Sequence, residues 1–178
     1  MTTGSEDAFP HLATLKDGSR VVIRRTEPED FQILSSMFAA LSADTMFRRF
    51  LRSQKRLTKA DVEEMLRLDD ENVTSLIAIS VKDGREQAVG EARYVTDSAG
   101  KLAEAAVVVA DDWQDRGLGT ALFTDLVAEA RRRGLSKIFA YFDADNKSII
   151  RVGQKVGFRL GAREAGSDYS MLKAEILL

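Results

Sequence analysis

The chain has 178 residues, 44% hydrophobic and 30% charged, with a formal net charge of −2: the proportions of one globular domain with its own core and no overall pull toward nucleic acid or an anionic membrane. It has no cysteine and a single histidine, His11, which excludes disulfides, thiolate metal sites and thiol nucleophiles and leaves Asp, Glu, Lys or Tyr as any general base. No apolar run is long enough to span a bilayer and residues 1–7 lack a signal-peptide core, so the expectation is a cytoplasmic protein without membrane or nucleic-acid partners.

Residues 1–18 read as an N-terminal tail ending in a turn at Asp17-Gly18, with His11 in a loose segment, and residues 19–178 as a single domain. Residues 20–25 (RVVIRR) read as a strand. Thr26 and Glu29 then form a capping box, with Pro28 in the first turn of a helix whose Phe31, Leu34, Phe38 and Leu41 recur at helical spacing. A short helix is expected over residues 43–51 and another from Thr58 to Leu68. The basic residues Arg48, Arg49, Arg52, Lys55, Arg56 and Lys59 read as a solvated face.

Residues 73–81 are rich in β-branched side chains and read as a strand, the Asp83-Gly84 pair as a hairpin turn and residues 87–96 as its partner. After a turn at residues 98–100, residues 102–109 make the next strand. The spacing of Leu118, Leu122, Leu126 and Ala130 predicts an amphipathic helix capped by Gly134. Residues 136–142 form a strand expected to run parallel to the preceding one, residues 146–156 a helix stopped by Gly157, and residues 158–161 and 169–177 the last strands. The sum is an α+β domain with a mixed, mostly antiparallel sheet and helices on both sides.

The most informative run is Gln114-Asp115-Arg116-Gly117-Leu118-Gly119-Thr120. It lies between a strand and a helix start, where unpaired N–H groups and the helix dipole converge on one point and favour a phosphate or pyrophosphate. The Walker pattern is absent, since no Gly-Lys-Ser/Thr follows, and Leu122 stands where a dinucleotide fingerprint needs glycine. Taken alone, a Gly-x-Gly turn is equally a structural turn.

The wider constellation resembles the GNAT acetyltransferases. Gln114-x-x-Gly117-x-Gly119 is similar to their acyl-CoA pyrophosphate motif, Val107-Val108-Val109 and Asp111-Asp112-Trp113 to the strand and lead-in before it, and Asn146 through Gly157-Phe158 to the asparagine helix and closing Gly-Phe. Residues 41–50 and 57–69 further resemble the GNAT domain of bacterial protein lysine acetyltransferases. The resemblance implies a splayed strand pair in which pantetheine pairs with Val107 and Val109. It implies a pyrophosphate held by the N–H groups of Arg116, Gly117, Leu118, Gly119 and Thr120 with the side chains of Gln114 and Arg116, and Asn146 near the pantetheine arm. Acetyl-CoA is then the co-substrate, with no metal.

Transfer to an amine needs the neutral form, and a free lysine (pKa ~10.4) is almost wholly protonated at neutral pH. Glu104 interrupts the apolar run Leu102-Ala-Glu-Ala-Ala-Val-Val-Val109, where a charge is costly unless it faces a cleft or solvent. In the bacterial lysine acetyltransferases a glutamate in a similar context is the base, and the resemblance carries that role to Glu104, with Glu91 as runner-up and the Val109 N–H as oxyanion donor. The family's usual tyrosine, seven residues after the asparagine, is Gly153 here; Ser148 or water is the remaining proton source. Tyr141 and Tyr169 read as core or rim aromatics. Asp111, Asp112, Asp115, Asp143 and Asp145 read as surface-loop acids that would attract a cationic acceptor if they ring the cleft.

The expected function is acetylation of lysine side chains of a protein, an acyl-CoA synthetase being the family's common target, by a monomer or homodimer. The alternatives are a small-amine N-acetyltransferase and a non-catalytic acyl-CoA-binding module. The family's domain is often fused to a cyclic-nucleotide-binding or synthetase-like domain, which these residues lack.

Overall fold

A computed structural model of the chain describes residues 8–51, 63, 71–165 and 170–178. In chain order the elements are β1 (His11–Thr14), β2 (Arg20–Arg25), α1 (Phe31–Ala40), α2 (Ala43–Phe50), β3 (Val73–Lys82), β4 (Arg85–Thr96) and β5 (Leu102–Val109). They continue with α3 (Leu118–Arg132), β6 (Lys137–Asp143), α4 (Lys147–Val156), β7 (Arg159–Ala165) and β8 (Ser170–Leu177). The strands form one sheet in the order β1-β2-β3-β4-β5-β6-β8-β7, antiparallel throughout except between β5 and β6.

Both sheet faces are covered, each by helices whose apolar spacing matches the pleat beneath. On one face α3 buries Leu118, Leu122, Phe123, Leu126, Val127 and Ala130 against Leu76, Ala92, Ala103 and Ala105. On the other, Leu34, Met37 and Phe38 of α1 and Met46 of α2 cover Ile77, Ile79 and Val108. The odd–even alternation of β5 therefore feeds two cores, with Ala103 and Ala105 in one and Val108 in the other.

Two local expectations shift. The segment read as a tail contains β1, paired to β2 from His11↔Ile23 to Thr14↔Arg20. His11 is not loose: its Nε2 lies 2.8 Å from Asp125 Oδ2 on α3. Four residues of mixed polarity carry no alternation, so only the hairpin partner reveals the strand. The capping box falls one residue later than Thr26 and Glu29, because the Thr26 hydroxyl and N–H are committed to Ser75 on β3. Instead the Glu27 N–H donates to Asp30 Oδ2 at 2.8 Å, and Arg24 donates to both oxygens of Asp30 at 2.7 Å. The helix expected from Thr58 to Leu68 lies, Glu63 aside, outside the described residues, as does Tyr169.

Among the described residues no helix is long and apolar enough to cross a membrane. A second observation fixes the position of α4. A Cβ on Gly153 would come 2.6 Å from Phe142 Cε2 of β6, and that ring cannot retreat because it packs against Phe123 and Phe158. Glycine at the family's tyrosine position is thus required by helix–sheet contact. Gly153→Ala is expected to lower stability by about 1–3 kcal/mol through overpacking, measured by denaturant unfolding, and Phe142→Leu should recover part of that loss.

Candidate active site

The parallel pairing of β5 and β6 is short. Leu102, Ala103 and Glu104 pair with Lys137, Ile138 and Phe139, and there it stops. Beyond that point β5 stays with β4 (Val107↔Ala92, Val109↔Gly90) while β6 stays with β8 (Tyr141↔Lys173, Asp143↔Met171). The sheet therefore opens into a fork, and residues 105–109 turn one edge to a cleft instead of to a strand. The walls of this cleft include Val107, Val108 and Val109, Gln114, Gly117, Gly119 and Thr120, Tyr141 and Asn146.

The glycine loop closes one end. Gly117, at φ +93, caps α3, and the first backbone acceptor inside the helix serves Ala121, whose N–H donates to Gly117 O at 3.1 Å. The N–H groups of Leu118, Gly119 and Thr120 precede that bond and have no backbone acceptor among the described residues. They form the positive end of a 15-residue helix facing the cleft. A Cβ on Gly119 would meet only Val109 Cγ2, at an ordinary 3.6 Å, so packing does not demand glycine there; what its absent side chain preserves is open space in the cleft.

The side chains named by the motif divide their work. Gln114 lines the cleft, but its amide donates to Thr45 Oγ1 at 3.0 Å and Val109 O at 3.2 Å. The Arg116 guanidinium is turned to the β1–β2 turn, 3.0 Å from Asp17 Oδ2, and lies 4.9 Å from the Trp113 ring centre. Asn146 lines the cleft and caps α4, its Oδ1 accepting from the Ile149 N–H at 3.2 Å. Ser148 is also in the wall.

Glu104 stands at the last paired position of the fork, exposed, immediately before the lining run 105–109. It shares a sheet face with Glu91, which is 0% exposed. Glu91 accepts from Ser75 Oγ at 3.0 Å and lies 3.2 Å from Arg93 Nε and 3.9 Å from Arg49 Nη2. Burial pushes the Arg49 guanidinium down from its ordinary value; Glu91 and, more weakly, Glu104 act to raise it, and Arg93 to lower it. Arg49 itself lines the cleft, so this buried charge cluster reaches the fork.

Sequence reasoning placed Asp111 among loop acids and missed its role. Its carboxylate accepts from the Ser42 N–H at 2.8 Å and from the Ser42 and Thr45 hydroxyls at 2.7 Å each, so it tethers the start of α2 to the end of β5. Burial acts to raise the Asp111 carboxyl, but these bonds prevail and hold it below the ordinary carboxylate range. The available signal was a Ser-x-x-Thr start, with threonine and not Glu or Gln at the box's partner position. Lys16 was missed as well; it reaches the cleft from the β1–β2 turn. Among the described residues no group of three or more His, Asp or Glu is placed to hold a metal.

An unzipped parallel strand pair, ending at free amides on a glycine-capped helix, defines a cleft for an extended ligand with amide groups along its length and an anion at one end. The sequence matches the family model for the acetyltransferase (GNAT) domain over residues 20–159, and the chain belongs to that family of N-acetyltransferases. It is 30% identical to acetyltransferase PA5475 of Pseudomonas aeruginosa over 153 residues, 86% of this chain and 82% of that protein. It is 25% identical to acetyltransferase Pat of Mycolicibacterium smegmatis over 168 residues, 94% of this chain but only 48% of that longer protein. The crystal structure of the GNAT domain of S. lividans PAT superposes with a TM-score of 0.81 at 24% identity, covering 98% of this chain and all of that domain, which shows a shared fold.

Two outcomes test this geometry. Gly119→Val should fold with an unchanged thermal midpoint yet lose at least about tenfold in coenzyme A affinity by calorimetry, because its γ carbons enter the cleft. Asp111→Asn should lower stability by roughly 1 kcal/mol near neutral pH. Since the folded pKa of Asp111 lies below its unfolded value, that contribution is complete above about pH 4 and fades as pH falls through the folded value; the variant and wild-type unfolding curves should converge there.

Proposed function

We propose that the protein transfers the acetyl group of acetyl-CoA to lysine side chains of a protein acceptor, acyl-CoA synthetases being the first to try, with Glu104 as general base. The observation that carries this reading is the fork: Glu104 occupies the point where the parallel pair parts, next to the free strand edge and the α2 wall. The residues fit acetyl-CoA on their own chemistry. The N–H groups of Gly117, Leu118, Gly119 and Thr120 suit the diphosphate, the free edge at Val107, Val108 and Val109 suits the pantetheine amides, and Asn146 and Gln114 line the path between them.

Acetyl-CoA supplies an activated thioester. The chain supplies position and proton handling. Glu104 takes a proton from the acceptor ammonium, directly or through water, leaving a neutral amine able to attack. Its exposure at the fork gives it the solvent contact that relay needs. Glu91 is a poorer base, because it is sealed from solvent between Arg49 and Arg93 as their counter-ion. The Val109 N–H is the donor proposed for charge developing on the thioester oxygen. With Gly153 committed to packing on Phe142, the thiolate takes its proton from water or from Ser148. A protein acceptor follows the resemblance of residues 41–50 and 57–69 to the GNAT domain of bacterial protein lysine acetyltransferases.

Purified protein incubated with acetyl-CoA and an acyl-CoA synthetase should release free CoA and acetylate the synthetase. Glu104→Gln should lower kcat by about 10²–10⁴-fold while leaving the acetyl-CoA thermal shift in place. Equal turnover by wild type and variant would remove Glu104 as the base. Turnover with spermidine but with no protein acceptor would make the enzyme a small-amine acetyltransferase, and a thermal shift with no turnover of any amine would make it a binding module.

A further inference from the structure

We infer that Lys16, on the β1–β2 turn, is the cation that grips the diphosphate of the bound coenzyme, while Arg116 of the glycine motif serves as the strut that delivers it. The inference rests on the reading of the cleft as a coenzyme A site, and goes beyond it by assigning part of that site to the N-terminal hairpin.

The turn is fastened to the glycine loop by backbone and side chain together. Leu15 is buried in the core, the Lys16 N–H donates to Arg116 O at 3.0 Å, and the Lys16 side chain lies across Gly117, with Cγ and Cε each 3.4 Å from where a Cβ would stand. Its ammonium end therefore runs along the loop whose free amides face the cleft, and Lys16 is part of the cleft wall. Arg116 is not. Its Nη1 is held by Asp17 Oδ2 at 3.0 Å and Ser19 Oγ at 3.4 Å, its Nη2 donates to Asp112 O, and its plane lies over Trp113. Asp17, the acid nearest Lys16 in sequence, is likewise committed. Its other oxygen accepts from the Ser19 N–H and hydroxyl, and these bonds, with Arg116 behind them, hold its carboxyl below the ordinary range. Among the described residues Lys16 makes no ion pair, so its charge is available to an anion at the loop.

The division follows from chemistry. A guanidinium has five donors in a rigid plane and suits a fixed structural node. An ammonium on a flexible stem adapts to a ligand that comes and goes. Nor can the amide donors at a helix start neutralise a diphosphate: the helix end supplies about half a charge. The net charge of the chain is −2, so the rest must be local.

The test compares wild type with Lys16→Met and Lys16→Arg by calorimetry with coenzyme A and 3′-dephospho-coenzyme A, and by turnover of S-acetyl-pantetheine, which lacks the diphosphate. Lys16→Met should weaken both coenzymes by roughly five- to twentyfold, flatten the rise of Kd with salt, and leave kcat/KM for S-acetyl-pantetheine unchanged; Lys16→Arg should restore most of the affinity. Unchanged coenzyme affinity in Lys16→Met, a loss confined to the coenzyme with its 3′-phosphate, or an equal loss on S-acetyl-pantetheine would each overturn the assignment. Failure of the wild type itself to bind coenzyme A would instead bring down the underlying reading of the cleft.

Discussion

The parting of β5 from β6 after three residue pairs is the constraint on which the rest of the structure depends. A parallel pair that stops leaves backbone groups on both facing edges, and such groups cost free energy unless water or a ligand meets them. The fork survives because each strand keeps its other neighbour. β5 is paired along its length to β4, and β6 to β8, so each strand is anchored by its outer edge while its inner edge faces the cleft. Hydrophobic packing holds the opening from below. Phe142 of β6 is wedged among Phe123 of α3, Phe158 and the bare backbone at Gly153, which sets α4 close to β6. The same contact that removes a tyrosine from the site thus helps to keep the site open.

Most of the fold was legible in the sequence, because its signals are local. The strands Arg20–Arg25 and Leu102–Val109 coincide with their expected bounds, and the stripe on α3 is the one its spacing implies. The hairpin turn falls at Asp83 and Gly84, both at positive φ as such a turn requires. The GNAT motif fixed the order of strand, loop and helix. What stayed illegible was long-range. β1 needs β2 to exist, and the contribution of Lys16 depends on a turn reaching a loop some hundred positions away in sequence, a pairing no periodicity encodes. Arg116 illustrates the reverse case. Its place in the motif points to phosphate, yet Asp17, Ser19 and Trp113 are nearer claimants, and only the fold could reveal them.

Charge in this chain is organised as buried nodes and not as a field. Glu129 of α3 is almost fully buried and is met by Arg25 of β2 and by Arg132 and Arg133 at the end of its own helix. Glu91 plays the same part for Arg49 and Arg93 on the opposite face of the sheet. At Glu129 the carboxylate is withdrawn from water while its arginines stay partly exposed, whereas at Glu91 both arginines are buried with it. The nodes differ in consequence. The one at Glu129 closes the structure behind α3, whereas the one at Glu91 reaches the cleft through Arg49.

That difference connects the two ends of the site. Asp111 holds Ser42 and Thr45 at the start of α2; Thr45 accepts from Gln114; Gln114 also donates to Val109 O at the end of β5. A single chain of hydrogen bonds therefore runs from α2, through the first residue of the glycine motif, to the strand edge that faces the cleft. Arg49, on the last turn of the same helix, lies over the buried node beside Glu104. Any displacement of α2 would consequently move or strain both the glycine loop and the surroundings of Glu104.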